Sequence, residues 1–504
     1  MGLNRLDFAI IAVYLAGITL FGLRFRKRQR TLRDYFLAGR DIPWWAIAIS
    51  IVAAETSTLT IISVPGLAYD TNFTFLQVVM GYVVGRFVIA FVLLPHYFHG
   101  DLFTAYELIE KRFGPDLRTL TSGLFLVTRA AAEGVRVYAV SIVVSIALGT
   151  GEIASIAIIT ALTLIYTFEG GLAAVIWTDV VQTAIYVGGT LLGIATIIHY
   201  VPGGWAHIHQ VASAADKFRV FDFTPTFWKP YTFWAGVIGG AFLTTASHGT
   251  DQLIVQRLLA ARGLRQSKAA LLSSGAAILF QFGLFLLLGT MLFAYYMVPS
   301  SHFGRADRIY PTFIVTHMPH GISGLLIAAI LAAAMSNLSA ALNSLSSSTV
   351  MDLYLRLRRA GTKDLNRRER RDSAEDTEQG QGQGEERRRM ILSRSATVLW
   401  AVMLFVLAVL CLHRVSRVVE VGLQIASVAY GALLGVFLLG VLTRRANQLG
   451  AAVGMLFGFA TEAYLWQFTA VPFTWWVMIG TVVTFSVGYS CSQLFEEERK
   501  IKSS

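Results

Sequence analysis

Apolar runs of about 20 residues alternate with short polar, mostly basic stretches along nearly the whole chain. A helix needs about 20 apolar residues to cross the hydrocarbon layer, and that rule predicts about thirteen spans. They start near Leu6, Trp44, Thr74, Leu117, Ile153, Ala173, Tyr231, Ala269, Thr312, Met390, Arg417, Leu449 and Phe473. Residues 331–354 (LAAAMSNLSAALNSLSSSTVMDLY) carry a polar rhythm of their own. Ser336, Ser339, Asn343 and Ser347 recur at steps of three and four, which gathers them on one helical face. A row of hydroxyl and amide oxygens inside a membrane suits a small hard cation such as sodium, and suits zinc or copper poorly. Small polar residues also let helices pack closely, so a packing seam is the other reading of the same stripe.

Composition agrees with a polytopic membrane protein. Hydrophobic residues make up 55% of the 504 and charged residues only 14%, against roughly 25% charge in soluble domains. Mean hydropathy is +0.58. The first apolar run is followed by basic residues, not by a small-residue cleavage site, so it is expected to stay as a span. Cys411 and Cys491 lie in apolar runs and imply neither a disulfide framework nor a metal motif. The net charge of +11 would suggest nucleic acid in a soluble protein. Here the surplus sits between spans and reads as topology, with the lipid bilayer as the partner and no nucleic acid. The basic loops at Arg24–Arg40, Lys111–Arg118, Arg262–Lys268, Arg356–Arg394 and Arg444–Arg445 each follow an odd-numbered span. The positive-inside rule then puts the N-terminus outside and the EEERK tail in the cytoplasm. Compact loops favour a bacterial inner membrane. Residues 200–230 form a long external loop with room for a short surface helix. Residues 359–389, rich in Arg, Glu, Gln and Gly, are expected to be a disordered cytoplasmic tether.

Two spans look interrupted. The second (WWAIAISIVAAETSTLTIISVPGLAYD) is polar at its centre, and the seventh (GVIGGAFLTTASHGTDQLIVQR) carries Gly249, Thr250, Asp251 and Gln252. Transporters built from inverted repeats break their helices at mid-membrane in this way. The breaks would open the two halves of a five-plus-five arrangement: residues 1–35 as an extra span and basic loop, 36–220 as the first repeat, 221–445 as the second with a linker at 357–389, and 446–504 as two further spans and the tail. Glu55, at membrane depth, is a functional candidate. It can ligate a cation, accept hydroxyl donors or stay protonated, and a structural ion pair is the plain alternative. Arg129, Glu133 and Arg136 share one face of the fourth span. Glu133 can neutralise one arginine. The other suits a carboxylate, unless the set is an ion network between helices.

The runs GGLAAVIWTDVVQ (170–182), GTDQLIVQRLLAARG (249–263) and FLAGRDIPWW (36–45), with the serine-rich segment, resemble the sodium:solute symporter family from the first span through the eleventh. The resemblance implies an all-α fold of the LeuT type with sodium-driven alternating access. It implies a sodium site built from backbone carbonyls of Ala53, Thr56 and Ala333 with side-chain oxygens of Ser336 and Asn337. Asn337 stands where the family commonly has Ser or Thr, and an amide oxygen can still ligate sodium. A second sodium, present in some members, would use Asp179 and Ser339, but Ala340 stands at its last position. Asp179 is then alternatively a relay near the inner exit. The solute site lies between the broken helices in such proteins, which nominates Glu55, Ser57, Thr58, Thr60, Thr250, Asp251 and Gln252, with Arg129 or Arg136 for an organic acid. Gln424 and Tyr430 are further candidates for gating or contact. The expected activity is import of a small polar organic solute, an organic anion or sugar-like molecule, with co-transported sodium. A solute-gated channel and a transporter-derived sensor are alternatives. No histidine box or HExxH pattern supports an integral-membrane enzyme.

Overall fold

In a bilayer every backbone polar group must be satisfied within the protein, which leaves helices or closed barrels. The computed structural model describes residues 2–24, 38–98, 105–166, 172–347, 349–350, 378–412 and 417–503, and among them the regular structure is all helical apart from one isolated bridge between Ile42 and Ala261. In chain order the helices are α1 (Arg5–Arg24), α2 (Trp44–Glu55), α3 (Thr58–Asp70), α4 (Phe73–Phe98), α5 (Ala105–Phe113), α6 (Pro115–Leu148), α7 (Glu152–Tyr166), α8 (Leu172–Tyr200) and α9 (Gly204–Ala214). They continue with α10 (Phe233–Gly249), α11 (Gln252–Leu259), α12 (Leu264–Tyr296), α13 (Ile309–His317), α14 (Ile322–Ser347), α15 (Glu378–Cys411), α16 (Val418–Leu442), α17 (Gln448–Phe468) and α18 (Phe473–Ser503).

Among the described residues nine helices are long and apolar enough to cross a membrane, or ten when the bent pair α2–α3 counts as one span. The other expected positions are taken by α1, α7 and the pair α10–α11. The ninth expected start, Thr312, is displaced. Residues 309–317 form the short helix α13, and the long helix begins only at Ile322. Pro319 cannot continue a helix, and the residue before it is driven to extended geometry; Met318 has φ −74° and ψ 148°. Gly321 then turns the chain at φ +89°. The tether expected over 359–389 lies outside the described residues up to 377, and from Glu378 it is helix continuous with the tenth span. Glu, Gln and Arg are good helix formers and carry the extension past Gly380, Gly382 and Gly384, each of which costs about 1 kcal/mol relative to Ala.

The two interrupted spans are broken. α2 ends at Glu55 and α3 starts at Thr58, with a 65° bend between them. Thr56 (φ −85°, ψ 71°) and Ser57 (φ −73°, ψ 168°) carry the turn. Ser and Thr compete with the helix through their own hydroxyls and favour such caps. α10 ends at Gly249, and Asp251 caps α11 by accepting the Leu253 N–H at 2.9 Å. α4 crosses α10 at backbone contact: a Cβ on Gly81 would meet the Gly236 carbonyl oxygen at 2.5 Å, and one on Gly240 would meet that of Val78 at 2.3 Å. This small-residue seam draws α4 against the broken helix α10.

Candidate functional site

Both breaks face one cavity of about 200 Å³. The first break supplies Ala54, Glu55, Ser57 and Thr60; the second supplies His248, Thr250 and Asp251; α6 supplies Arg129 and Arg136; α14 supplies Ser336 and Asn337; α16 supplies Tyr430. At roughly 10–15 Å³ per water position, the space holds about 13–20 water-sized groups.

The last carbonyls of a helix lack intrahelical partners. At the end of α2, Val52 O takes the Thr56 N–H at 2.8 Å and Glu55 O takes the Thr60 hydroxyl at 3.2 Å, which leaves Ala53 and Ala54 as the other carbonyls of that turn. The Thr58 hydroxyl donates to Ile330 O at 3.3 Å and ties α3 to α14. Of the expected sodium ligands, Ala53 lies in the last turn of α2, Thr56 lies in the break, and Ala333, Ser336 and Asn337 lie on α14, the helix that the Thr58 bond ties to α3; only Ser336 and Asn337 of the five line the cavity. The Thr56 hydroxyl accepts from Gln281 Nε2 at 2.8 Å, so its side chain is turned to α12. The polar stripe of α14 divides. Ser336 and Asn337 line the cavity, Ser339 is buried outside it, and Asn343 is exposed.

Charged groups fall into three networks. Glu55 pairs with Arg86 of α4, and His248 Nε2 lies 3.4 Å from the same carboxylate oxygen. On α6, Glu133 Oε1 takes Arg136 Nη1 at 2.6 Å and lies 3.0 Å from Arg129 Nε, so one carboxylate serves both arginines. Arg129 also reaches Asp251 at 3.5 Å, and the Tyr430 hydroxyl donates to Asp251 at 3.4 Å. Asp179 accepts from Ser50 Oγ at 2.6 Å and from Arg257 Nη2 at 3.2 Å, while Arg257 Nε donates to Ser50 at 2.9 Å. Asp179 is thus engaged by α2 and α11, and Ser339 is not among its partners. Gln252 turns away from the cavity, its carboxamide oxygen accepting the Ala105 N–H of α5 at 2.8 Å. Thr58 faces only a small side pocket, and Gln424 lines neither space.

A profile of the sodium:solute symporter family matches residues 35–372. The chain belongs to that family. A sodium/sialic acid symporter of Proteus mirabilis (strain HI4320) is 28% identical to this symporter over 98% of this chain and 96% of its own. The sodium/mannose cotransporter of Bos taurus is 29% identical over 92% of this chain and 79% of its own. The substrate-bound outward-open structure of a Na+-coupled sialic acid symporter superposes with a TM-score of 0.80 at 28% identity, covering 97% of this chain and 98% of that one. A nucleobase-cation-symport family transporter in a closed conformation shares the fold, with a TM-score of 0.53 at 11% identity over 92% and 94% of the two chains. The all-α LeuT-type fold expected for this symporter is therefore the one observed.

Arg86, His248 and Arg257 were not among the candidate residues read from the sequence. Arg86 stands alone in the apolar run GYVVGRFVIAFVL, and an isolated arginine at span depth was a usable signal. His248 offered less, as one residue of a polar break.

Proposed function

We propose that this symporter imports a small polar organic solute, an organic anion or sugar-like molecule, driven by sodium through alternating access. The observation that carries the reading is the convergence of the α2–α3 break and the Ser336–Asn337 face of α14 on the cavity that both broken helices line. Sodium would be held by the carbonyls of Ala53, Thr56 and Ala333 and by side-chain oxygens of Ser336 and Asn337. All are hard oxygen donors of the kind a monovalent metal takes. Sodium bound there bridges α2 and α14 and favours the arrangement in which the cavity accepts solute. Its release to the sodium-poor side frees the two helices to part. Each charge moved supplies about 2.3 kcal/mol per 100 mV, plus the concentration gradient.

The solute would lie among Glu55, Ser57, Thr60, Arg129, Arg136, Thr250 and Asp251. The sialic acid and mannose of the relatives are both polyhydroxylated and fit this lining. The engagement of Asp179 by Ser50 and Arg257 favours a relay or inner-gate role over a second sodium site with Ser339. The loop charges support an outside N-terminus and a cytoplasmic C-terminus in a bacterial inner membrane, with repeats at 36–220 and 221–445 flanked by residues 1–35 and 446–504. Uptake of labelled sialic acid into proteoliposomes tests the reading. Accumulation above the external concentration under an inward sodium gradient, and none under potassium, is expected; equilibration without accumulation would mark a channel. Ser336→Ala is expected to raise the sodium requirement roughly tenfold, the loss of one liganding oxygen worth about 1.4 kcal/mol, with less change in solute affinity at saturating sodium.

A further inference from the structure

Glu55 uses one carboxylate oxygen and leaves the other open. Oε2 meets Arg86 Nη2 and lies 3.4 Å from His248, while Oε1 has no protein donor among the described residues. Arg86 is 0% exposed and stands behind the cavity wall; the Glu55 side chain keeps 11% of its surface and forms part of that wall. The guanidinium is fixed from three sides. Nε donates to Ser274 Oγ of α12 at 3.1 Å, Nη1 to Tyr82 O at 3.1 Å and Nη2 to Glu55. A Cβ on Gly275 would stand 3.1 Å from its Cδ, so the helix beside it is cut close. A carboxylate has about four acceptor positions. Glu55 thus lines the cavity with one oxygen that takes no donor from the described residues.

The electrostatics choose the donor. Arg86 already balances the Glu55 charge, so a solute ammonium would leave uncompensated positive charge in a site walled by hydrocarbon, which is costly. A hydroxyl brings a donor without a charge. Across the cavity Arg136 keeps 33% of its side-chain surface and shares Glu133 with Arg129, which also reaches Asp251 at 3.5 Å, so that cluster is neutral by itself and the co-transported sodium would balance a solute carboxylate. Such guanidinium groups suit a carboxylate. We propose that Glu55, held by Arg86 and His248, is a specificity-determining subsite that reads solute hydroxyls, so that the cavity selects polyhydroxylated carboxylates over plain ones. This rests on the symporter reading above and adds the substrate class and the residues that choose it.

Isothermal titration of the purified full-length protein with sialic acid, gluconate and hexanoate, in sodium chloride and in potassium chloride, decides it. In sodium, gluconate or sialic acid is expected to bind at least about tenfold more tightly than hexanoate, because an acceptor built for a hydroxyl is left unpaired by a chain lacking one. Glu55→Gln is expected to weaken the hydroxylated acids by about tenfold and hexanoate by much less, so that the ratio between them falls, since a charge-assisted hydrogen bond to a hydroxyl becomes a neutral one. Hexanoate matching gluconate on the unaltered protein overturns the subsite, and so does full discrimination by Glu55→Gln. The unaltered protein suffices if that variant fails to fold, and His248→Ala repeats the test from the third member. Sodium-dependent binding of all three acids with equal affinity sinks the subsite alone, whereas no sodium-dependent binding of any of them sinks the organic-anion reading of the solute with it.

Discussion

Arg86 donates to Ser274, Tyr82 and Glu55 and has no exposed surface. Removing one partner of a buried ion pair leaves the other charge uncompensated, which costs about 3–5 kcal/mol. Arg86→Leu is therefore expected to lower stability by about that much, and Glu55→Gln in the same chain to restore part of it. Thermal unfolding in detergent, followed by the aromatic signal, checks both. If Arg86→Leu is as stable as the parent, the pair carries no structural weight. Glu55 was legible as an acid at membrane depth, but its partners were not. Arg86 is 31 positions away from Glu55, and His248 is 162 from Arg86. No helical period relates such separations, so only packing brings the three together. Gln252 shows the converse. It lies in a polar break, yet the direction of its side chain is set by α5, whose first backbone N–H it accepts.

Helix breaks were the most readable feature at the scale of elements. Ser, Thr and Asp side chains compete for backbone hydrogen bonds and Gly loosens the helix, so their clusters inside apolar runs mark weak points. Both breaks occur where those clusters stand. The start of the long helix α14 was less readable. Hydropathy runs on through α13, and only Pro319 and the positive φ of Gly321 separate the two. The crossing of α4 and α10 was hidden too, because GxxxG spacing at Gly81–Gly85 and Gly236–Gly240 does not say which helix it will meet. Gly240→Val would drive a side chain into the Val78 carbonyl, since a single Cβ already stands at 2.3 Å. Overpacking of this kind costs about 1–3 kcal/mol. A lowered melting temperature together with impaired transport is expected, because α4 carries Arg86 and α10 carries His248. Unchanged stability would mean that the helices have room to separate.

For the whole molecule, sodium is a ligand of the folded state, so it must raise apparent stability by mass action. Replacing potassium by sodium at constant ionic strength should stabilise the protein by about 2.7 kcal/mol when the ion is at a hundred times its dissociation constant. Ser336→Ala should need more sodium for the same gain. A melting curve indifferent to the cation would remove the ion from the α2–α14 junction. The membrane class, the positions of most spans, the two breaks and the oxygen-rich face of α14 were set by the chain alone, because each is a local property: length of apolar run, helix-breaking chemistry or periodicity. The partners of Glu55, the capture of Asp179 by Ser50 and Arg257, and the division of the α14 stripe between cavity and exterior were decided by tertiary structure. Those depend on which helix faces meet, and at that level hydrogen-bond and charge satisfaction between distant segments overrides any local pattern.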